Sequence, residues 1–504
     1  MINNSVLTNL SLMNKLFRVS FATLALCSAV VLNSCNDEDP PLPDNIVKFQ
    51  SDAQGLGAND TQVTVNIQLD RAVDATGNLT VSFATTGVTY GTDFTTDPAA
   101  VDGKISIPVA VGTTQASFKV TKTNTNGLDG TEKVVFTIDE VAEGLVLGTA
   151  KTFTLSFSEI IATNSEMQID GGGTNAQNRV FIDLSGNSQL AVARSTWDLA
   201  FATGADEWRV VLNSSNKMLA YKLDKSNLID VTADDTLGLG LKFSTEAIFG
   251  TVANLEEGQD LPDWVAGSLA WMDDRSGDLT KTAIAEVSDE DGDNNVYIIN
   301  RGTDADGNEL GWLKVRVLQD GGSYAIQYGE INSGTFNTKT VTKNTAYNFT
   351  YFSFVSGAEV DVEPAKEDWD IAWTGFTNIT TFDGITFFPY YNQDIILTNI
   401  HGGAKAFAYT TGTVGDPGVT GDKTYDTFTE ADLSVITNYS TSQLGIGSGW
   451  RTLGQTSSSL NTTRFYIVED AAGNIYKLQF TALVDSNNQR GKPSFRFELL
   501  TKGS

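Results

Sequence analysis

The sequence predicts an all-β protein, and three observations carry that expectation. Several short runs alternate apolar and polar residues with a period of two, as in Val63, Val65, Ile67 and Leu69, which turns one face of an extended strand toward a core. Gly, Asn and Asp punctuate the runs, as tight connections between antiparallel strands require. From about residue 164 onward, a set of strand-like segments recurs in one order and register, which points to tandem units of the same architecture.

At the N-terminus, Lys15 and Arg18 precede an apolar run from Val19 to Leu32 that ends in Leu32-Asn33-Ser34-Cys35. This is the layout of a secretory signal over residues 1–34, and the run is too short to span a bilayer comfortably. Ending on Cys rather than on an A-x-A pattern resembles a bacterial lipobox, which implies that Cys35 is acylated and that lipid holds the mature chain on the membrane. The alternative is a non-lipidated signal with an incidental Cys. Asn36-Asp37-Glu38-Asp39 come directly after it. They resemble an acidic surface-export signal of lipoproteins in some Gram-negative bacteria, which implies an outer-membrane protein facing the exterior, although a solvated linker has the same composition. Met13 opens a more ordinary signal than Met1, so the first twelve residues read as an extension ahead of the true start. Cys27 lies inside the signal, so the mature chain keeps Cys35 alone and depends on cores rather than disulfides. Length allows about three domains. A formal net charge of −29 argues against nucleic acid and anionic headgroups as partners. No apolar stretch after the signal reaches spanning length, which leaves the lipid as the membrane contact.

Residues 35–45 contain Pro40-Pro41-Leu42-Pro43-Asp44-Asn45, a stiff tether that cannot pair as strand or helix. The first domain, 46–158, carries further alternating runs at Ile105, Ile107 and Val109, at Val134, Phe136 and Ile138, and at Phe153, Leu155 and Phe157. Such runs build a β-sandwich. Leu69-Asp70-Arg71-Ala72, Val81-Ser82-Phe83-Ala84-Thr85, Gly91-Thr92-Asp93-Phe94-Thr95 and Gly112-Thr113-Thr114-Gln115 resemble the Calx-β family in order and spacing. Calcium-binding members cluster carboxylates in the loops at one end. The corresponding late loop here, from Asn124 to Glu132, is thin in acids, so calcium is doubtful and the domain reads as a spacer or interaction module.

The repeat supplies the remaining units. Arg194-Ser195-Thr196-Trp197-Asp198-Leu199-Ala200-Phe201 recurs as Lys366-Glu367-Asp368-Trp369-Asp370-Ile371-Ala372-Trp373, and Arg209-Val210-Val211-Leu212-Asn213 recurs as Asp394-Ile395-Ile396-Leu397-Thr398-Asn399. Val296-Tyr297-Ile298-Ile299, the Gly307-Asn308 turn and Leu313-Lys314-Val315-Arg316-Val317 return as Phe465-Tyr466-Ile467-Val468, Gly473-Asn474 and Tyr476-Lys477-Leu478-Gln479-Phe480. Two β domains are expected, 164–335 and 336–504. A strand through the first motif would place Trp197, Leu199 and Phe201 on a core face, with Asp198 and Ala200 opposite. Asp198 and Asp370 read first as side chains that hydrogen-bond a neighbouring turn, and second as cleft residues.

These landmarks resemble the HmuY-like family of haem-binding lipoproteins. The resemblance implies two antiparallel β domains that bind haem or porphyrin without enzymatic activity. It also implies delivery to an outer-membrane receptor of the TonB-dependent type. Haem iron takes axial ligands such as imidazole nitrogen or thioether sulfur. His401 is the single His of the chain, so one chain cannot supply a bis-His site. His401 is a ligand candidate at the end of the strand carrying Thr398-Asn399; the other reading is an exposed loop residue. Met218 and Met272 are the further candidates, each weighed against filling a core gap. Phe387, Phe388, Tyr390 and Tyr391 form an aromatic patch suited to a flat ligand or a sugar, or to packing of the loop on its own domain.

Other chemistries find little support. Asp289-Glu290-Asp291-Gly292-Asp293 and Asp304-Ala305-Asp306-Gly307 lack the spacing of an EF-hand and read as turns. No G-x-S-x-G elbow accompanies His401, and no glycine-rich phosphate loop opens a helix. The alternative to haem capture is a surface adhesion or glycan-binding lipoprotein in which the same folds hold no iron.

Overall fold

The computed structural model describes residues 44–56, 61–123, 132–157, 164–256, 259–382, 384–453 and 458–503. Cys35 and most of the 124–132 loop lie outside these residues.

Ten strands build the first domain: β1 (Asn45–Phe49), β2 (Ala53–Gly55), β3 (Gln62–Leu69), β4 (Gly77–Thr86), β5 (Phe94–Asp97), β6 (Lys104–Val109), β7 (Gln115–Lys122), β8 (Lys133–Glu140), β9 (Leu145–Leu147) and β10 (Thr152–Ser156). They form two five-stranded sheets, β5-β7-β3-β1-β9 and β2-β10-β8-β4-β6. Alternate residues of β3, β6 and β7 are buried, and the inner faces meet over Phe49, Phe118, Phe136 and Phe153. This is the sandwich that the period-two runs demand. Ser165 donates its hydroxyl to the Gln50 carbonyl at 2.8 Å, and Gln54 donates to the Gly186 carbonyl at 2.9 Å, joining the sandwich to the repeated region.

Residues 164–503 hold twenty further strands. The first sequence copy contributes β11 (Asn164–Gln168), β12 (Asn178–Asp183), β13 (Ser188–Ala193), β14 (Leu199–Ala202), β15 (Val210–Leu212), β16 (Leu219–Lys222), β17 (Tyr297–Asn300), β18 (Trp312–Asp320) and β19 (Ser323–Glu330). The second contributes β20 (Asn337–Val341), β21 (Phe349–Ser353), β22 (Ala358–Val360), β23 (Ile371–Thr380), β24 (Phe388–Thr398), β25 (Lys405–Thr410), β26 (Arg451–Leu453), β27 (Ser458–Leu460), β28 (Arg464–Glu469), β29 (Ile475–Ala482) and β30 (Ser494–Thr501). One body holds the sheets β15-β14-β21-β22 and β16-β17-β18-β19-β20; the other holds β13-β12-β23-β24 and β11-β30-β29-β28-β25. The two arrangements match strand for strand.

The first three strands of each sequence copy therefore complete the body built by the other copy. β11 pairs with β30 and β12 with β23, while β21 pairs with β14. The boundary expected between residues 335 and 336 follows the sequence repeat, whereas the sheets group the strands differently. The first body runs without a break from the β14 motif through β22, and the second is closed by residues 164–193.

The repeated motifs are the fastenings. Asp198 accepts the Phe354 backbone N–H at 2.7 Å, in the turn between β21 and β22, and Asp370 accepts the Leu184 N–H at 2.8 Å, in the turn between β12 and β13. Asn213 donates to the carbonyls of Arg194 and Trp197, both at 2.7 Å; Asn399 donates to those of Lys366 and Trp369, both at 2.8 Å. Asn399 also accepts the Gly402 N–H, and a side chain at Gly402 would collide with the Lys366 carbonyl. Lys314 and Lys477 are buried and donate to loop carbonyls, Val231 and Ser333 for one and Tyr425 and Phe428 for the other. These bonds satisfy each ammonium away from water.

Trp197 departs from the expected face. A 3-10 turn over Arg194–Thr196 ends at Trp197 and the strand begins only at Leu199, so strand alternation does not extend to the Trp. Leu199 and Phe201 enter the core of the first body. Trp197 instead joins Trp369, Phe181 and Tyr351 in a cluster between the bodies. Its ring meets Tyr351 edge-on at 4.9 Å, and Trp369 meets Phe181 in the same way at 5.0 Å.

Asp198 also forms an ion pair with Arg301, Nε to Oδ1 at 2.8 Å, with little of either side chain exposed. Removing one member of such a pair strands the other. Asp198→Ala is expected to cost about 3 kcal/mol in urea unfolding, and a loss below about 1 kcal/mol would show that this fastening does not hold the exchanged strands.

Candidate functional site

Two hollows lie where the bodies meet. The smaller, about 80 Å³, is lined by His401, Met218 and Met272 together. Three ligand candidates far apart in sequence thus converge on one cavity. His401 follows the end of β24 and is exposed as a residue, while its ring stands edge-on to Phe349 at 5.7 Å. Crowding by protein lowers the imidazole pKa from its ordinary value, opposed by Glu207 and by the Gly277 carbonyl. The ring is accordingly neutral at pH 7, the form that can offer a lone pair. Met218 follows the Asn213 turn, with Lys217 in the left-handed region at φ 65°, and is almost fully buried. Met272 is buried beside Phe243 and Val265. Both Met side chains therefore pack as core residues while presenting surface to the cavity.

Charges around this cavity are mixed. Arg179 lines one wall, and Asp273, Asp274 and Asp278 lie along the segment that closes the other. Asp273 accepts the Leu212 N–H at 2.7 Å and the Ala283 N–H at 2.9 Å. Burial pushes its carboxyl up to about 6 against those bonds. Tyr351 donates to Glu363 at 3.1 Å; burial raises the Glu363 carboxyl to about 7, with Arg179 among the groups opposing the rise.

The larger hollow is a cleft of about 790 Å³. Its walls come from the 174–176 loop, from Arg194 and Lys217, from Tyr390 to Asp394 on β24, and from Trp450, Arg451 and the loop carrying Arg490. Tyr390 and Tyr391 stand here, away from His401. The other aromatic candidates belong to neither hollow: Phe388 is buried in the core beside Phe243 and Ile248, and Phe387 faces solvent, 40 % exposed. The burial pattern does not alternate over this stretch: Phe388 and Pro389 are both buried, and Tyr390 and Tyr391 both line the cleft. Sequence reasoning did not find Arg194, Lys217, Trp450, Arg451 or Arg490. Only Arg194 carried a signal, since the repeat aligns it with the basic Lys366.

The copies differ in charge at one aligned position beside the repeated Asp. Where Arg301 neutralises Asp198 in the first body, the aligned residue of the second is Asp470, beside Asp370 and Asp183. Burial pushes Asp183 up to about 6, and hydrogen bonds from Gly186 and Ser185 oppose it. Asp370 is raised strongly, by burial first and then by Asp183. Among the described residues, no group of three or more His, Cys, Asp or Glu side chains is placed to hold a metal ion.

Residues 345–497 match the family model described as HmuY protein, a span within the second sequence copy. No curated protein sequence matches the chain. Among solved structures, the chain is similar to the apo-form Calx CBD1 domain, with 13% identity, a TM-score of 0.20, and 23% of this chain and 97% of that one covered. It is also similar to a protein from Bacteroides vulgatus named as HmuY-like and heme-binding, with 7% identity, a TM-score of 0.17, and 68% and 93% covered. A third, from Bacteroides ovatus and named as carbohydrate-binding, has 11% identity, a TM-score of 0.16, and 92% and 99% covered. At this level of similarity none of the three assigns a ligand. No described helix is long and apolar enough to cross a membrane.

The buried carboxyls set a pH dependence. A carboxyl with a raised folded-state pKa holds its proton more tightly when folded. Its stabilisation is full below the unfolded value and is lost as pH climbs to the folded one. With Asp183 and Asp273 near 6 and Glu363 near 7, the thermal midpoint is expected to fall between about pH 4 and about pH 7. Asp183→Asn is expected to flatten that fall and to add on the order of 2 kcal/mol at neutral pH. A midpoint that rises over the interval would contradict this.

Proposed function

We propose that residues 164–503 form a non-enzymatic head that binds haem or porphyrin. In this reading Cys35 carries the lipid, the head faces outward from the outer membrane, and a receptor of the TonB-dependent type receives the ligand. The observation that carries the reading is the convergence of His401, Met218 and Met272 on one cavity at the junction of the bodies, in a chain whose second copy matches the HmuY family. A neutral imidazole and a thioether are both established types of axial ligand. Phe349, Phe376, Trp197 and Leu397 supply apolar wall for a ring face, and Arg179 supplies a cation for a ring carboxylate.

The cavity, about 80 Å³, is smaller than the several hundred Å³ of an ordinary small-molecule site. Entry of a porphyrin therefore requires the 273–282 segment to swing outward, which breaks the hold of Asp273 on Leu212 and Ala283. Slow, saturable uptake is the expected behaviour.

Haem titration followed in the Soret region, in both oxidation states, tests the proposal. The parent is expected to give a shifted, saturable band, His401→Ala to change its position or abolish it, and Met218→Leu to change it while leaving the fold intact. An unshifted, non-saturating spectrum in both oxidation states would exclude iron-ligated capture.

A further inference from the structure

The 790 Å³ cleft is separate from the cavity that holds His401, and none of its lining residues is a His, Met or Cys. Its volume falls in the range of small-molecule sites. Four cations, Arg194, Lys217, Arg451 and Arg490, line it against two carboxylates, Asp304 and Asp394. This local excess stands out in a chain with 33 Lys and Arg to 62 Asp and Glu. Such a patch draws anions toward the cleft through an otherwise repelling field.

The cations differ in what occupies them. Arg451 forms an ion pair with Asp394, and Lys217 is paired with Glu246 and stands over the Tyr391 ring at 5.0 Å. Arg194 is only 4% exposed; it donates to the carbonyls of Ser215 and Asp304 and to the Tyr391 hydroxyl, but its Nε has no partner among the described residues. The indole N–H groups of Trp373 and Trp450, both nearly buried, are also without partners among the described residues. Arg490 is exposed and has no ion-pair or hydrogen-bond partner among the described residues, nor do the side-chain amides of Asn392 and Asn488.

This is a site that gathers donors, amides and aromatic rings, and its walls are more polar than apolar. A porphyrin face laid on it would desolvate Asn392 and Asn488 without replacing their bonds. A sugar ring offers a hydroxyl to each amide and an apolar C–H face to Tyr390, and a carboxylate on that ring meets the free guanidinium.

We propose that the cleft between the two bodies binds an oligosaccharide containing uronic or sialic acid, with Arg490 receiving the carboxylate and Asn392 and Asn488 the hydroxyls. The head then carries two sites, one at the His401 cavity and one that docks it to acidic glycans.

Calorimetric titration of the mature chain, bearing Cys35→Ser so that it is not acylated, tests this with galacturonate, glucuronate and sialic-acid oligosaccharides and with their carboxyl-methylated forms. Saturable binding of at least one acidic oligosaccharide is expected, weakened tenfold or more by methylation and by Arg490→Glu. Arg490 is exposed and unpaired among the described residues, so the variant keeps its fold, and an unchanged thermal midpoint verifies this. Asn392→Ala is expected to weaken acidic and methylated forms alike. Absence of binding to all three classes, equal affinity for acidic and methylated forms, or indifference to Arg490→Glu would overturn the proposal. Displacement of the sugar by haem would overturn it as well, assigning the cleft to porphyrin. A failed Soret titration leaves these results untouched, because the two sites share no lining residue.

Discussion

The structure depends on a reciprocal exchange of strands, and the exchange depends on two buried Asp side chains. Each body lacks the hairpin needed to finish its four-stranded sheet, and each receives it from the other sequence copy. Asp198 and Asp370 catch the backbone N–H just past the end of the arriving strand, at Phe354 and at Leu184. A carboxyl oxygen that accepts a backbone N–H inside a core is costly to leave unpaired. The Asp therefore selects one register of the incoming hairpin over its neighbours. Trp197 and Trp369 then close the seam between the bodies, each edge-on to an aromatic residue of an exchanged strand.

The same exchange creates both hollows. Arg179, from the strands that close the second body, faces Met218 and Met272 of the first across the smaller cavity. Residues 174–176 of the same segment meet Tyr390 and Trp450 across the larger one. His401, Met218 and Met272 line the tight cavity beside Arg179 and aromatic walls, whereas four cations, Tyr390 and Tyr391 line the open cleft. The two hollows therefore differ in chemistry and in size, about 80 Å³ against about 790 Å³.

The two copies, alike in topology, have diverged in electrostatics. Arg301 neutralises Asp198 in the first body. Its counterpart Asp470 leaves Asp370 and Asp183 to share burial without a cation, which keeps protons on carboxyls that would ordinarily lose them. With a net charge of −29, self-repulsion acts in the same direction, so mildly acidic surroundings suit the fold.

The sequence by itself determined the all-β class, because period-two alternation and turn residues are local properties of the chain. It also determined the repeat, and the bonding of Asp198 and Asp370 to neighbouring turns, since those follow from residue type beside a strand. His401, Met218 and Met272 were identifiable as rare residue types, but nothing along the chain says that they face one another. Only tertiary structure decided that, because long-range strand pairing brings β12, β16 and β24 to one junction. Tertiary structure also decided which copy owns the first three strands, moved Trp197 from an expected strand face to the seam, separated Tyr390 and Tyr391 from Phe387 and Phe388, and gathered Arg194, Arg451 and Arg490 into one cleft. The physical reason is common to all of these. A strand's pattern specifies which face is buried, whereas its partner is chosen by register and by the few buried polar bonds that only one pairing satisfies.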